Sequence, residues 1–106
     1  MDKRSALEII DRFRTVLESK DVTINKIILF GSFARGNYRD DSDIDVIVIS
    51  DDFVSLNYWE RIDLLSEAIY EIFEPIEAVS FTSKEWEKSD SFLVDYAKQG
   101  EVVYAA

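Results

Sequence analysis

Two short runs of apolar residues constrain the fold of this chain more than any other part of its sequence. Lys26–Phe30 ends directly at a glycine, and residues 43–50 are mainly β-branched. Runs of this length that are apolar at consecutive positions are typical of strands buried on both faces of a sheet. The sequence therefore predicts a sheet whose centre is covered by helices.

Two longer segments have the periodicity of amphipathic helices. Ser5 and Glu8 have the spacing of a capping box, and the first predicted helix runs from there to about Lys20. Asn57 and Glu60 repeat this spacing, and the second helix ends before Pro75. Apolar residues recur three and four positions apart, on one face of each helix: Ala6, Ile9, Ile10, Phe13, Val16 and Leu17 in the first, and Trp59, Ile62, Leu65, Ile69, Ile72 and Phe73 in the second.

The remaining elements complete an α/β pattern. Ile76–Phe81 is a predicted third strand, residues 82–85 open a helical turn, residues 89–99 form a last helix, and residues 102–104 suit a short edge strand. This order predicts an α/β (α+β) fold, a small mixed sheet with helices mainly on one face, in one domain spanning 1–106. Because few helices are available, we expect part of the second face to bind a partner or a second copy.

Composition narrows the classes of function. The chain has no cysteine and no histidine, so any metal must be held by oxygen. The net charge is −10, and residues 51–106 hold four basic and thirteen acidic residues, which leaves no basic stripe for long nucleic acid. No stretch approaches the roughly 20 apolar residues that span a bilayer, and the N-terminus has no apolar signal core. We therefore expect a cytoplasmic protein.

The segment between the two central strands carries the chemistry. Gly31 lets the backbone approach a ligand, and Ser32 offers a hydroxyl and an N–H group to a phosphate oxygen. Asp43 and Asp45 stand two apart at the start of the next strand, a spacing that points both carboxylates to one side. Magnesium takes a few carboxylates together with substrate phosphates. The sequence therefore predicts a magnesium and nucleoside triphosphate site.

The pattern Gly-Ser-x-Ala-Arg-Gly at 31–36, followed by Ser-Asp-x-Asp-Val at 42–46, resembles the signature of the DNA polymerase β-like nucleotidyltransferase superfamily. Within it, the chain resembles the minimal nucleotidyltransferase (MNT) group. The resemblance implies that a third carboxylate on a later strand, here Glu77, completes the metal site, although many members carry aspartate there. The alternative for Glu77 is a solvated position at the strand edge.

Other side chains near the motif leave alternatives open. Arg35 and Arg39 could hold the triphosphate through charge-assisted hydrogen bonds, and Arg35 could equally pair with Asp40 or Asp41. The aromatic residues Trp59, Trp86 and Tyr104 suit packing better than base stacking.

The resemblance also implies an activity and a partner. It implies transfer of AMP from ATP, with two magnesium ions, to a hydroxyl such as a tyrosine of a HEPN-type toxin, which the protein would counteract as an antitoxin. The acidic second half is compatible with a basic partner surface. Two alternatives remain: a binding module that neutralises its partner by contact alone, and a transferase acting on a small hydroxylated molecule.

Overall fold

The computed structural model of the chain describes residues 1–89 and 92–106, with only the backbone described at 92, 93 and 96. Part of the predicted helix over 89–99 therefore lies outside the described residues. The helices are α1 (Lys3–Ser19), α2 (Ser32–Arg35), α3 (Tyr58–Ile72), α4 (Ser83–Lys88) and α5 (Phe92–Ala97). The strands are β1 (Lys26–Phe30), β2 (Ile44–Ile49), β3 (Ile76–Phe81) and β4 (Glu101–Ala105), and a 3-10 helix, Asp51–Ser55, follows β2.

The four strands form one mixed sheet in the order β3-β2-β1-β4. β1 is antiparallel to both β2 and β4, whereas β2 and β3 are parallel. A parallel pair needs a crossover connection, and the 3-10 helix and α3 supply it. The predicted mixed α/β architecture is confirmed, with the two apolar runs as the central strands.

The two faces of the sheet are covered differently. On one face, α1 and α3 bury a large cluster that includes Phe13, Leu17 and Leu65 together with alternate strand residues such as Leu29 and Val46. On the other face, Ala97 of α5 and Trp86 of α4 cover a smaller cluster of strand residues. This cluster consists of Ile28, Phe30, Ile47 and Ile49. Val79 and Phe81 of β3 remain only half-buried on that second face. Its coverage is thus partial, as expected from the small number of helices.

The helix starts agree with the sequence at two of three places. Capping boxes are present at Asn57 with Glu60 and at Thr82 with Glu85. The predicted cap at Ser5 is wrong, because the cap is Asp2, three residues earlier, and α1 begins at Lys3. The side chain of Asp2 accepts a hydrogen bond from the Ser5 N–H at 2.8 Å and thereby caps the helix. A carboxylate near the positive end of a helix is a favourable cap, and the hydrogen bonds from Ser5 lower the pKa of Asp2.

Two residues assigned to the buried face of α3 are exposed. Trp59 is 70% exposed and makes an edge-to-face contact with Tyr58, because the first buried residue of α3 is Leu65 and the first turn extends beyond the core. Phe73 is 85% exposed because it follows the last helical residue in a left-handed conformation, with φ +55°. Trp86 and Tyr104, the other aromatic residues for which packing was predicted, do pack. Trp86 contacts Phe81, and half-buried Tyr104 lies beneath Arg14.

Within the described ranges, no helix has both the length and the apolar character required to cross a bilayer.

Candidate functional site

The turn after β1 brings the backbone against a carboxylate of β2. Gly31 has φ +75° and ψ −154°, a region that is essentially restricted to glycine. A Cβ atom placed on Gly31 would lie 2.2 Å from Oδ2 of Asp45. The position therefore requires glycine for two reasons: its backbone conformation, and the carboxylate that fills the space of a side chain.

Asp45 lies opposite Glu77 across the parallel strands β2 and β3. On its other side, Asp45 is paired with Phe30 of β1. Side chains at paired positions of neighbouring strands project from the same face of the sheet. A side-chain hydrogen bond with Glu77 acts on Asp45, so the two carboxyl groups are neighbours. The register of one strand pair therefore brings two like charges together.

The pKa of Asp45 is raised from 3.8 to about 6. Burial is the largest cause, because it disfavours the charged form of the carboxyl group. The hydrogen bond and negative charge of Glu77 and the negative charge of Asp43 raise it further, whereas the positive charge of Arg35 lowers it. These four side chains therefore belong to one electrostatic cluster, in which negative charge exceeds positive charge.

The residues of this cluster fit a hard divalent cation. Asp43 and Glu77 are exposed to solvent and Asp45 is half-buried, so the carboxylate oxygens are accessible from outside. Oxygen ligands of this kind are those that magnesium prefers, and a cation would offset the repulsion that raises the pKa of Asp45. Over residues 1–89 and 92–106, no three acidic side chains are spaced so as to enclose a metal. The assignment of Asp43, Asp45 and Glu77 as ligands stays a prediction.

The predicted phosphate-binding residues lie on α2 and the loop after it. Ser32 is the first residue of α2, where helical N–H groups have no partner within the helix. Arg35 is the last residue of α2 and is within electrostatic reach of Asp45. Arg39 has an exposed side chain, and its N–H donates to Ser42 Oγ at 2.7 Å in a tight turn before β2.

Gln99 and Gly100 lie near the site, although the sequence pattern did not indicate them as site residues. A cleft of about 60 Å³ beside Gly31 is lined by Gln99 and Gly100 as well as by Phe30, Ala34 and Arg35. This volume equals about two water molecules, so a nucleotide would have to lie outside the cleft. A Cβ atom on Gly100 would lie 2.4 Å from the carbonyl oxygen of Leu29, so glycine there lets the C-terminal segment pass close to β1. The sequence indicated Gly100 only as the residue that ends the last helix.

Comparison with known proteins identifies the family of the chain. The family model of the nucleotidyltransferase domain matches residues 10–98, which contain Gly31, Asp45 and Glu77. A relative from Methanocaldococcus jannaschii, named for an inferred protein adenylyltransferase activity, is 36% identical over 98 residues. That match covers 90% of this chain and 94% of the relative.

Solved structures share the fold at lower sequence identity. A protein from Sulfolobus solfataricus, assigned by inference as a nucleotidyltransferase, superimposes with a TM-score of 0.71 at 21% identity, covering 94% of this chain and 80% of that one. A complex of a tri-AMPylated HEPN toxin with an MNT antitoxin from Shewanella oneidensis contains a chain with a TM-score of 0.61 at 18% identity. That match covers 98% of this chain and 73% of the other.

Proposed function

The chain belongs to the nucleotidyltransferase domain family, and on that premise we propose that it transfers AMP from ATP to a tyrosine hydroxyl of a HEPN-type toxin and so acts as its antitoxin. The class of enzyme follows from the family: the chain is a nucleotidyltransferase. The relative named for protein adenylyltransferase activity supports AMP as the transferred group and a protein as the acceptor. The fold shared with the complex of AMPylated toxin and antitoxin supports the kind of partner.

The proposed reaction breaks a phosphoanhydride bond of ATP and forms a phosphate ester bond to the acceptor. The hydroxyl oxygen of the acceptor forms a bond to the α-phosphorus of ATP, the bond from that phosphorus to the bridging oxygen of the β-phosphate breaks, and pyrophosphate leaves. The hydroxyl proton passes to solvent. The products are an AMP-modified hydroxyl and pyrophosphate, and no oxidation or reduction takes place.

The residues of the site have distinct roles in this proposal. Asp43, Asp45 and Glu77 would hold magnesium, which when bound supplies positive charge to the phosphates and acidifies the attacking hydroxyl. The backbone at Gly31 and Ser32 would bind phosphate oxygens, because unpaired N–H groups favour anions. Arg35 and Arg39 would hold the triphosphate by charge-assisted hydrogen bonds.

The observation that carries the proposal is that Gly31 lies against Asp45, which is paired with Glu77 across β2 and β3 and lies within electrostatic reach of Asp43. Its test is incubation of the protein with a co-expressed HEPN-type partner, magnesium and ATP labelled on the α-phosphate. We expect label on the partner, and mass spectrometry should locate it on tyrosine. An Asp43→Asn/Asp45→Asn variant should lose at least about a hundredfold in rate, because metal charge stabilisation contributes several kcal/mol.

A matched control separates the site from net charge. Asp63→Asn removes one carboxylate from the exposed surface of α3, the same change in net charge as Glu77→Gln, and its rate should equal that of the original chain. Glu77→Gln should behave like the Asp variants, and Glu77→Asp should retain part of the activity. Label transfer by none of these proteins, together with unchanged neutralisation by the double Asp variant, would identify a module that acts by contact. Label on a small hydroxylated molecule, and none on protein, would favour the third alternative.

A further inference from the structure

A groove of about 890 Å³ lies at the other end of β3 from the carboxylate site. Its floor is the end of β3, from Val79 to Thr82. One wall comes from the 3-10 helix and the start of α3, with Val54 and Tyr58, and the other from α4, with Lys84 and Lys88. Glu77 and Phe81 are four residues apart on β3, which corresponds to about 13 Å along a strand. The floor of the groove begins at Val79, about 7 Å along the strand from Glu77, and extends away from the residues proposed to carry nucleotide chemistry.

The groove combines apolar surface with positive charge on an acidic protein. Val54 and Tyr58 are 77% and 67% exposed, although large apolar side chains are normally covered. Three of the four basic residues of 51–106 line the groove: Arg61, Lys84 and Lys88. Arg61 is paired with Glu85 at 2.7 Å, whereas Lys84 and Lys88 make no ion pair with any described residue. Two lysines without an ion pair to a described residue therefore border an apolar surface, and Asp51, which accepts from the Ser83 N–H at 3.1 Å, adds a carboxylate to the same lining.

The floor of the groove is a sheet edge with available backbone groups. β3 is the first strand in the sheet order and pairs only with β2 among the described strands. The carbonyl groups of Pro75 and Phe81 accept hydrogen bonds from the N–H groups of Ile44 and Ser50, at 2.8 and 2.9 Å. Backbone direction alternates along a strand, so the groups of the even-numbered residue Ser80 point away from β2, into the groove. An edge of this kind accepts a further strand.

We propose that this groove binds an extended segment of a partner protein in which acidic residues alternate with apolar ones, as a fifth strand beside β3. Side chains two apart on a strand lie about 7 Å from each other on the same side. Lys84 and Lys88 are four apart on α4, and such pairs are spaced by about 5–6 Å on a helix. Acidic residues two apart therefore match the two lysines, while the intervening side chains face Val54 and Tyr58.

Charge and chemistry favour this occupant over two others. A second copy of the chain would bring its own Lys84 and Lys88 to the groove if two β3 edges paired, and like charges would oppose each other. A nucleic acid strand would satisfy the lysines, but it cannot continue the hydrogen-bond pattern of a sheet. Peptide addition to a sheet edge uses the backbone for affinity and alternate side chains for specificity.

The test is fluorescence anisotropy with a labelled peptide of about eight residues that alternates glutamate with valine and phenylalanine. We expect saturable binding that weakens with salt, and weaker binding of the same peptide with lysine in place of glutamate. Lys84→Glu/Lys88→Glu should weaken binding roughly tenfold to thirtyfold, because two attractive pairs become repulsive. Arg4→Glu/Arg12→Glu makes the same change in net charge on exposed positions of α1 and should leave binding unchanged.

A second variant tests the strand geometry independently of charge. Ser80→Pro removes an N–H group that points away from β2, so the sheet should persist while the peptide loses a hydrogen bond. Ser80→Ala is its control and should bind normally. If Ser80→Pro does not fold, amide hydrogen exchange of the original chain replaces it, and the peptide should slow exchange at Ser80. Any of four results would overturn the proposal. These are equal binding of the glutamate and lysine peptides, equal loss of binding in the two charge-reversal variants, tighter binding of a single-stranded oligonucleotide, and a dimer that blocks the groove.

Discussion

Replacement of Gly31 by alanine should damage the site and the fold together. Alanine must adopt a backbone region that costs about 1–3 kcal/mol for a residue with a Cβ atom. In addition, the new Cβ atom would lie 2.2 Å from Oδ2 of Asp45, so the carboxylate must move by roughly 1 Å to reach ordinary contact distance. We expect a loss of about 2 kcal/mol in the free energy of unfolding, or roughly 10 °C in Tm. A displacement of this size should reduce the transfer rate by about a hundredfold.

Gly36→Ala is the matched control. Gly36 has φ +82°, but a Cβ atom there would meet nothing within 4 Å. The control should therefore lose about 1 kcal/mol of stability from the left-handed backbone alone and should retain its rate of transfer. Both variants should be compared by thermal unfolding and by transfer from labelled ATP, at one magnesium concentration. This comparison separates the effect of backbone strain from the effect of displacing the Asp45 carboxylate.

A third variant tests the contact directly. In Gly31→Ala/Asp45→Ala the colliding oxygen is absent, so the double variant should be less destabilised than the sum of its single variants by about 0.5 kcal/mol or more. Its activity should stay lost, because a predicted metal ligand is missing. Full activity in Gly31→Ala, or equal losses of activity in Gly31→Ala and Gly36→Ala, would refute the inferred role of Gly31 beside Asp45.

Three further predictions concern single side chains. The raised pKa of Asp45 means that the folded chain holds the carboxyl proton more tightly than the unfolded chain does. In metal-free buffer the stability that this proton contributes is therefore complete below pH 3.8 and is lost as the pH rises through about 6. Urea unfolding across this range should show the loss, and the Asp45→Asn variant should not show this dependence on pH. Glu77→Gln should lower the pKa of Asp45, measured by carboxyl NMR titration, because a like charge is removed; an unchanged pKa would contradict the Asp45–Glu77 contact. Thr82→Ala should lower the free energy of unfolding by about 1 kcal/mol through loss of a capping box, whereas Thr15→Ala on exposed α1 should not, as measured by urea titration.

The sequence predicted the strands because consecutive apolar residues identify buried strands from local pattern alone. The role of Asp43 and Asp45 as ligands stays a prediction, and β2 begins at Ile44, so Asp43 precedes the strand. Asn57 and Thr82 were recognisable as caps because each has a glutamate three residues later. The same spacing at Ser5 was misleading, because Asp2 competes for the first turn and its carboxylate accepts from the N–H of Ser5.

Features that depend on distant parts of the chain were not predictable from the sequence alone. The exposure of Trp59 depends on where the core ends relative to the first turn of α3, and helical periodicity contains no such information. Gln99 and Gly100 line the cleft beside Gly31 only because the C-terminal segment passes close to β1. The groove along β3 required the sheet order, which follows from the pairing of all four strands.

The parallel register of β2 and β3 has a consequence for how the protein folds. A slip by one residue would place Ile76 or Ala78 opposite Asp45 and would turn Glu77 to the other face of the sheet. The 3-10 helix and α3 separate these strands in sequence, so their pairing closes a long loop, and non-local pairing of this kind is slow compared with helix formation. During refolding, helical circular dichroism should therefore recover before catalysis does. Recovered activity reports that the native register of this one strand pair has formed.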